Sequence, residues 1–262
     1  MKKRTRRILF WFAVVVFFVA TWVVIRYAQG YAYDWKSGQF VRTGAIAVTV
    51  NTSGQLFVDD RLSGSTSFLG NRAGQDRLLP GSYTVRLVRD GYSTWRKEAV
   101  VQEGLLTDFP SILLLPLDDA ALIDLKREAS VSLSLARLPS EPHKASVGVT
   151  DGTFALKGTT LWRTDAASAS VVAESVLGFA RPTDGSRVLW WTRNDLWVVW
   201  LRNTDYQPFH SEGDRQLITR ISVPIRRAAW FRGRDHIVVD LGSQSYRVVE
   251  IDTRGGVNII KL

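Results

Sequence analysis

The sequence contains no cysteine, which excludes disulfide frameworks, thiolate zinc sites, iron–sulfur clusters and cysteine nucleophiles together. Histidine is scarce, because only His143, His210 and His236 are available for imidazole chemistry. The nucleophile-elbow, P-loop, dinucleotide-binding and His-Glu-x-x-His motifs are also missing. What remains is a chain of 262 residues, 45% hydrophobic and 23% charged. That composition is typical of a folded protein with one large domain or two small ones.

Acidic residues are absent before Asp34, whereas residues 2–7 contain five Lys and Arg side chains and Arg26 adds a sixth. The formal net charge of +9 is therefore concentrated at the N-terminus, and the rest of the chain is only weakly basic. A basic patch spread over a folded face would indicate nucleic acid, but a short terminal cluster does not. The sequence predicts no nucleic-acid partner.

Residues 8–25 form an uninterrupted apolar run of 18 residues without a charge. A helix of that length spans roughly 27 Å, close to the thickness of the hydrocarbon core of a bilayer. Cations are more numerous before the run than just after it, which predicts a cytoplasmic N-terminus and an exported remainder. The predicted membrane anchor, residues 1–30, uses apolar and interfacial side chains along the run and at its outer end: Ile8, Phe10, Trp11, Phe17, Phe18, Trp22, Ile25 and Arg26, followed by Tyr27, Tyr31 and Tyr33.

Two alternatives to a retained anchor remain open. A secretory signal peptide could be cleaved near residues 28–30, although its apolar stretch is usually shorter than 18 residues and its cleavage site has small residues. A buried core helix would also be apolar, but nothing in the run is amphipathic. The sequence favours a retained anchor, and in the first two cases the remainder of the chain is exported.

From residue 44 onward the pattern changes to short alternating strands. Runs of four to seven residues are bounded by turn signals at residues 53–54, 80–81, 90–91 and 103–104. No helical pattern of 10–15 residues separates the strands, which argues against parallel βαβ units. We expect an antiparallel β-sandwich with one solvated face on each sheet.

The same stretch, residues 44–117, resembles the PEGA domain, a small β-sandwich of bacterial and archaeal surface proteins. The resemblance rests on residues 79–85 (LPGSYTV) and 89–92 (RDGY), then Trp95 and the strand that leads to 103–104. It departs at the name-giving tetrapeptide, where Thr-Ser-Gly-Gln keeps only the glycine. The resemblance implies a non-catalytic module of the kind used as a stalk or contact domain near cell envelopes.

Residues 118–146 have the composition of a connection. The run at 118–121 could begin a helical turn, whereas Val131, Leu133 and Leu135 alternate with serines as in a strand. Two prolines within residues 138–142 predict a break.

The last part of the chain, residues 147–262, contains an internal repeat. A strand-turn-strand unit at 154–165 recurs at 187–199 and at 236–252, and two of the copies have a matching strand before them. Four strands in a unit of this length resemble a β-propeller blade of the TolB or WD40-like kind. Two full units and part of a third cannot close a ring, which takes four to eight blades. We expect either a chain truncated after Leu262 or an unclosed array.

Few residues suggest chemistry. The acid pairs at 59–60 and 118–119 lie at turns, and the histidines have no metal-ligand spacing. A group of arginines concentrates positive charge and predicts a possible anion-binding face: Arg215, Arg220, Arg226, Arg227, Arg232 and Arg234. A group of tryptophans could stack on sugar rings or pack between sheets: Trp190, Trp191, Trp197, Trp200 and Trp230.

These patterns together predict an all-β protein with one N-terminal transmembrane helix, a PEGA-like β-sandwich and an incomplete β-propeller-like array of four-stranded blades. The predicted function is an extracytoplasmic binding or scaffold protein of the cell envelope, anchored in the membrane and not an enzyme, with no cofactor and no metal. Its predicted partners are the lipid bilayer and a cell-wall polymer, a glycan or another envelope protein. The alternative is a surface hydrolase whose catalytic site lies in a propeller portion that this chain does not contain.

Overall fold

The computed structural model describes residues 3–66, 70–136, 149–150, 153–165 and 168–262. Strands make up 45% and helices 17% of the protein, so the expectation of a mostly β chain behind one N-terminal helix is confirmed. Three predicted features lie outside the described residues: His143, the break at 138–142 and Lys2 of the basic cluster.

Helix α1 (Lys3–Ala28) contains the apolar run and extends beyond it at both ends. Within its segment Arg4–Ala28 the most apolar stretch of 18 residues has a mean hydropathy of 2.8, and that stretch is not buried against the other described residues. By length and composition the helix could cross a bilayer. A β-hairpin that sequence patterning did not predict, β1 (Tyr31–Asp34) and β2 (Gln39–Arg42), follows the helix directly.

Seven strands then form two facing sheets. In chain order they are β3 (Gly44–Val50), β4 (Gln55–Val58), β5 (Arg61–Ser65), β6 (Arg72–Leu78), β7 (Gly81–Val88), β8 (Trp95–Val101) and β9 (Leu106–Ile112). One sheet has the order β6-β3-β9 and the other β5-β4-β7-β8. Alternate side chains of both sheets share one apolar core, centred on residues such as Val48, Leu56, Val85 and Phe109. We call residues 44–117 the two-sheet unit.

The expectation that this unit is purely antiparallel is wrong for one pair of strands. Strand β9 lies parallel to β3. The reason is that β9 arrives from the other sheet: the chain leaves β8 at one sheet edge, turns at residues 102–105 and joins β3 running in the same direction. A hairpin neighbour would have been antiparallel, but a strand that changes sheets is free of that constraint.

The predicted strand around Val131, Leu133 and Leu135 is also wrong, because these residues belong to helix α2 (Asp119–Ser134) or its C-terminal cap. The Asp118 carboxylate caps the helix by accepting a hydrogen bond from Ala121 N at 2.9 Å. Leu125, Ala129 and Leu133, spaced four residues apart, form the buried stripe. The serine alternation that suggested a strand is therefore a coincidence on a helix whose Ile123 and Val131 side chains are exposed.

Twelve further strands form three four-stranded sheets. In chain order they are β10 (Val149–Thr150), β11 (Phe154–Lys157), β12 (Thr160–Asp165), β13 (Ser168–Ala173), β14 (Gly178–Ala180), β15 (Arg187–Trp191), β16 (Asp195–Trp200), β17 (Arg215–Arg220), β18 (Arg227–Trp230), β19 (His236–Asp240), β20 (Tyr246–Glu250) and β21 (Ile259–Lys261). Each sheet is an antiparallel meander of four successive strands. The repeat analysis predicted two complete units and part of a third. It missed the outer strands β10 and β13 of the first sheet, which are short or rich in serine and alanine.

The three sheets pack on one another in chain order. Apolar side chains of the first and second sheets share one core, around Phe179 and Trp190. Those of the second and third sheets share another, around Trp191 and Val239. Helix α2 covers the remaining face of the third sheet together with Leu115. The third sheet is thereby brought beside the two-sheet unit.

Candidate functional site

The two-sheet unit meets the third sheet through a buried ionic contact that we call the distal joint, formed by Trp95, Lys97, Glu250, Asp252 and Arg254. Lys97 Nζ lies 3.3 Å from Glu250 Oε2 and 3.6 Å from Asp252 Oδ1, and it also donates to the Asp252 carbonyl. Trp95 Nε1 donates to Glu250 Oε2 at 3.1 Å. Strand β8 positions both donors because side chains two residues apart point to the same face. The Lys97 side chain is fully buried.

Arg254 extends the distal joint toward the edge of the other sheet. Its guanidinium contacts both oxygens of Asp252 at 2.7–3.1 Å and donates to the Asp108 carbonyl at 2.7 Å. It also donates to Gln207 Oε1 at 2.8 Å. The Gln207 amide in turn bonds Leu106 O at 2.7 Å and Asp108 N at 3.0 Å, so one side chain pairs with the free edge of β9 as a neighbouring strand would.

Burial governs the protonation of the distal joint. Burial raises the pKa of the Glu250 carboxyl above its ordinary value, and the Lys97 ammonium partly offsets that effect. His236 lies directly opposite Glu250 in the sheet. Burial lowers the pKa of His236 to about 4, because the imidazolium would lose its hydration. The arrangement therefore holds a neutral imidazole and a paired lysine inside the contact at neutral pH.

A second buried group lies nearby and joins the second sheet to the third. Arg187 donates to Asp235 Oδ1 at 3.0 Å and to the Tyr206 hydroxyl at 2.6 Å, and that hydroxyl donates to the same carboxylate oxygen at 2.7 Å. Arg187 is almost completely buried. Burial and the Asp235 charge raise the pKa of Tyr206 to about 12, so the phenol stays protonated over the whole physiological range.

A small cavity separates the distal joint from the Arg187 group. Its free volume is about 20 Å³, room for about one water molecule. Trp200 forms part of its wall, and His210 stacks on that ring with 3.6 Å between ring centres. Burial lowers the pKa of His210 below its ordinary value. Arg187, Tyr206 and Asp235 are bonded to one another on one side of the cavity, and Glu250 and Asp252 are paired with Lys97 on the other, so the cavity is an inner void of the contact.

An open groove lies on the outer side of the distal joint. Its volume is about 570 Å³, and strands β8 and β9 and the loop after β16 supply its walls. Four of its apolar side chains are exposed to solvent: Val100, Leu105, Leu106 and Phe209, the last at 69%. Contiguous exposed apolar side chains of this kind are typical of interaction surfaces. We call these four residues the apolar groove.

The six arginines predicted to bind an anion are distributed over several parts of the surface. Arg220 pairs with Asp195 at 2.6 Å, Arg232 with Glu128 of helix α2 at 2.7 Å, and Arg234 with Asp184 at 3.7 Å. Arg215 donates to the Val172 carbonyl at 2.7 Å, whereas Arg226 and Arg227 are exposed near the start of β18. Arg220 and Arg234 line different pockets. Anion binding at these residues stays a prediction, and the structure gives them no common pocket among the described residues.

The tryptophans of the second sheet are mainly packing residues. Trp190, Trp191 and Trp200 are buried, so their faces cannot stack on a sugar ring. Trp197 is partly buried and lies parallel to Trp190 with 6.0 Å between ring centres. The acid pairs have the structural roles expected of turns, because Asp59 accepts from Thr84 N and Asp118 caps helix α2. Among the described residues no group of three or more His, Asp and Glu side chains could hold a metal ion.

Sequence analysis missed the distal joint, although one signal was present. Apolar side chains occupy positions 95, 99 and 101 of strand β8, so position 97 must face the same way. A lysine at an inward position needs a buried anion, and its partners lie about 155 positions later in the chain. The inward lysine could have been found, but its partners could not.

The comparisons with known proteins do not assign the chain to a family. No protein-family model matches it, and no curated protein is significantly similar to it.

Proposed function

We propose that this protein is a non-catalytic binding or scaffold protein of a prokaryotic cell envelope, anchored by helix α1 with its N-terminus in the cytoplasm and its β-structure outside. The uncharged run of α1 and the cations before it support this orientation. In this proposal the two-sheet unit is a PEGA-like sandwich. The three meanders are propeller-like blades in an open array, as their four-stranded antiparallel order supports.

The observation that carries the proposal is the apolar groove. Two separate units contribute its walls, Phe209 from the loop after β16 and the other three residues from β8, β9 and the turn between them. The distal joint beside it fixes those walls, since Gln207 and Arg254 tie the loop and the third sheet to β9. A rigid wall reduces the entropy that binding would otherwise cost.

The chemistry of the groove favours another envelope protein as its occupant over a glycan or a wall polymer. The four residues of the apolar groove are aliphatic apart from Phe209 and offer no hydrogen bonds to hydroxyl groups, and the exposed polar side chains of the same pocket, Glu98 and Gln102, lie beside them. Of the indole rings that could form a sugar platform, Trp190, Trp191 and Trp200 are buried and the other two are partly buried, and none of them lines the groove. An apolar segment of a partner would exchange water for contact along the whole groove.

Site-specific photo-crosslinking in intact cells tests this proposal. A photoreactive amino acid at Phe209 should give one adduct of defined mass, which a second substitution in the groove, Leu106→Asp, should abolish. The same amino acid at Val223, an exposed apolar position outside the groove, is the matched control and should give no such adduct. An adduct of twice the chain's own mass would indicate self-association, and equal labelling at both positions would contradict the proposal.

The orientation has a separate test that uses the absence of cysteine. A single cysteine at Glu212, which is exposed in the second sheet's loop, should react with a membrane-impermeant maleimide in intact cells. Labelling that occurs only after lysis would place the β-structure in the cytoplasm and overturn the proposed localisation.

A further inference from the structure

The hairpin β1–β2 folds back along helix α1. At its base, the Tyr31 ring lies 5.0 Å from the guanidinium of Arg26. Two residues closer to its turn, Phe40 makes an edge contact with Trp22 at 5.2 Å between ring centres. Trp22 precedes Arg26 by about one helical turn, or roughly 6 Å. The hairpin therefore runs toward the N-terminus of the helix, beside the outer end of its apolar run.

An aromatic series continues from the helix to the tip of the hairpin. Phe40 contacts Tyr33 at 5.2 Å, and Tyr33 contacts Trp35 at 4.8 Å. Trp35 is 87% exposed, the highest value among the large apolar side chains of the described residues. Indole and phenol rings prefer the boundary between headgroups and acyl chains, where the ring is in an apolar phase and its polar atom stays hydrated.

The helix, the hairpin and the two-sheet unit are joined without a spacer. We call this contact the proximal joint, formed by Tyr27, Gly30, Thr43, Arg77 and Gly104. Thr43 N donates to Gly30 O at 2.8 Å, and Gly104 N donates to Thr43 O at 3.3 Å. Arg77 bonds the Tyr27 hydroxyl and lies 4.3 Å from its ring centre. These bonds hold the base of the two-sheet unit at the end of the helix.

Positive charge accumulates at the same level. Arg26 and Arg77 stack on aromatic rings there, and Arg42 lies at the base of the hairpin beside Gly104. Within the hairpin, Asp34 at the tip is acidic, whereas Lys36 and Arg42 are basic. Arginines at this depth can extend to lipid phosphates while their stems stay against apolar surface.

We propose that the hairpin β1–β2 is a membrane-interface element: it lies among the phospholipid headgroups of the outer leaflet, with Trp35 at the acyl-chain boundary and the arginines facing phosphate. This inference rests on the proposed membrane anchoring, because the hairpin reaches the interface only if helix α1 crosses the bilayer. Its consequence is that the two-sheet unit lies directly on the membrane surface and not at the end of a flexible stalk.

Depth measurement on the full chain in vesicles of phosphatidylcholine and phosphatidylglycerol tests this inference. The native sequence has no cysteine, so Trp35→Cys and Ser37→Cys each accept one nitroxide label, and the second variant keeps Trp35. Val16→Cys in the middle of helix α1 reports whether the helix is in lipid, and Val223→Cys in the loop between the second and third sheets reports bulk water. The readout is collision of the label with oxygen and with a water-soluble nickel chelate.

We expect the nickel collision rate at positions 35 and 37 to be several-fold lower than at position 223 and higher than at position 16. Water-like rates at 35 and 37 with a lipid-embedded position 16 would overturn the hairpin inference and leave the anchoring intact. Water-like rates at position 16 as well would overturn the anchoring, and the hairpin inference with it.

Discussion

The two joints of this protein connect neighbouring units by opposite means. The distal joint holds the two-sheet unit to the third sheet with buried charges, each paired with a carboxylate, an ammonium or a carbonyl. The proximal joint holds the two-sheet unit to helix α1 with backbone hydrogen bonds and with aromatic rings that stay substantially exposed. The distal joint is closed to water, whereas the region of the proximal joint leaves its aromatic rings exposed.

The difference indicates where each joint obtains its stability. The charged groups of the distal joint have their partners within the chain. Substitutions there should therefore change the free energy of unfolding in any solvent that keeps the protein folded. The proximal joint continues into the hairpin β1–β2, whose Trp35 ring is exposed, so the full contribution of this region to stability requires a second phase, which in our proposal is the outer leaflet of a bilayer.

The largest expected effect follows from removing the buried lysine. Lys97→Met would leave Glu250 and part of Asp252 buried without their cation, and breaking a buried ion pair on one side typically costs about 3–5 kcal/mol. Urea denaturation of the full chain in detergent measures the loss. The matched control is Arg96→Ala on the exposed face of the same strand, which should change the free energy of unfolding by less than about 0.5 kcal/mol.

A second variant separates lost charge from lost packing. Adding Glu250→Gln to Lys97→Met removes the unpaired carboxylate, so part of the stability should return. If the double variant is as unstable as the sum of the two single variants, the ion pair is not the cause, and the distal joint depends on side-chain shape alone.

The next effect is a pH dependence from His236. The folded protein keeps this imidazole neutral, with its pKa lowered to about 4 from an ordinary 6.5, whereas the unfolded chain takes up the proton below about 6.5. The unfolded state therefore binds more protons between these values, and stability falls as the pH falls. Across the pH range between the two pKa values, the free energy of unfolding should fall by about 3 kcal/mol, at about 1.4 kcal/mol for each pKa unit.

His236→Asn should remove this part of the pH dependence. The measurement is the free energy of unfolding of both proteins at pH 7 and at pH 4. Asp235, Lys97 and Glu250 surround the imidazole in both proteins. The raised pKa of Glu250 gives a slope of opposite sign that largely cancels in the difference. Identical slopes for the variant and the native protein would mean that His236 is not buried as a neutral base.

A backbone contact gives the third effect. Gly255, in the turn after Asp252, has φ +61°, and a Cβ there would meet the Glu98 carbonyl oxygen of strand β8 at 2.0 Å. Gly158 has nearly the same φ, +60°, with no atom within 4 Å of the added Cβ. Gly158→Ala thus measures backbone strain alone. We expect Gly255→Ala to lose about 1–3 kcal/mol more in urea denaturation, because β8 and the turn must separate. Equal losses would mean that the two units are not in close contact.

These features differ in how far the sequence could predict them. The N-terminal helix, most of the short strands and the repeated strand pairs follow from local hydrophobic periodicity and turn residues, which act over a few positions. Helix α2 was missed because its buried stripe of Leu125, Ala129 and Leu133 coexists with an accidental alternation of serines. Strand β13 was missed because serine and alanine carry little periodic signal.

The distal joint could be predicted only in part, for a different reason. An inward lysine in β8 is a local observation, but its carboxylates lie about 155 positions away. Pairing across that distance depends on the order in which the sheets pack. Local patterns in a single sequence carry no information about that order. The back-folded hairpin is similar, since Tyr31 and Tyr33 suggested an interfacial belt but not a strand pair lying against Trp22.

The smallest expected effect is at Trp35 of the hairpin that extends from the proximal joint, and the same change, from tryptophan to alanine, can be made in the distal joint for comparison. Trp95→Ala removes a buried ring of the distal joint and should cost about 3–5 kcal/mol. Trp35→Ala removes a ring that is 87% exposed, and it should change the urea stability of the β-structure in detergent by less than about 0.5 kcal/mol. A loss at position 35 comparable to that at position 95 would show that the hairpin is a packing element of the folded units. A negligible loss would mean that Trp35 contributes little to folding, which is the result that the lipid-interface proposal predicts.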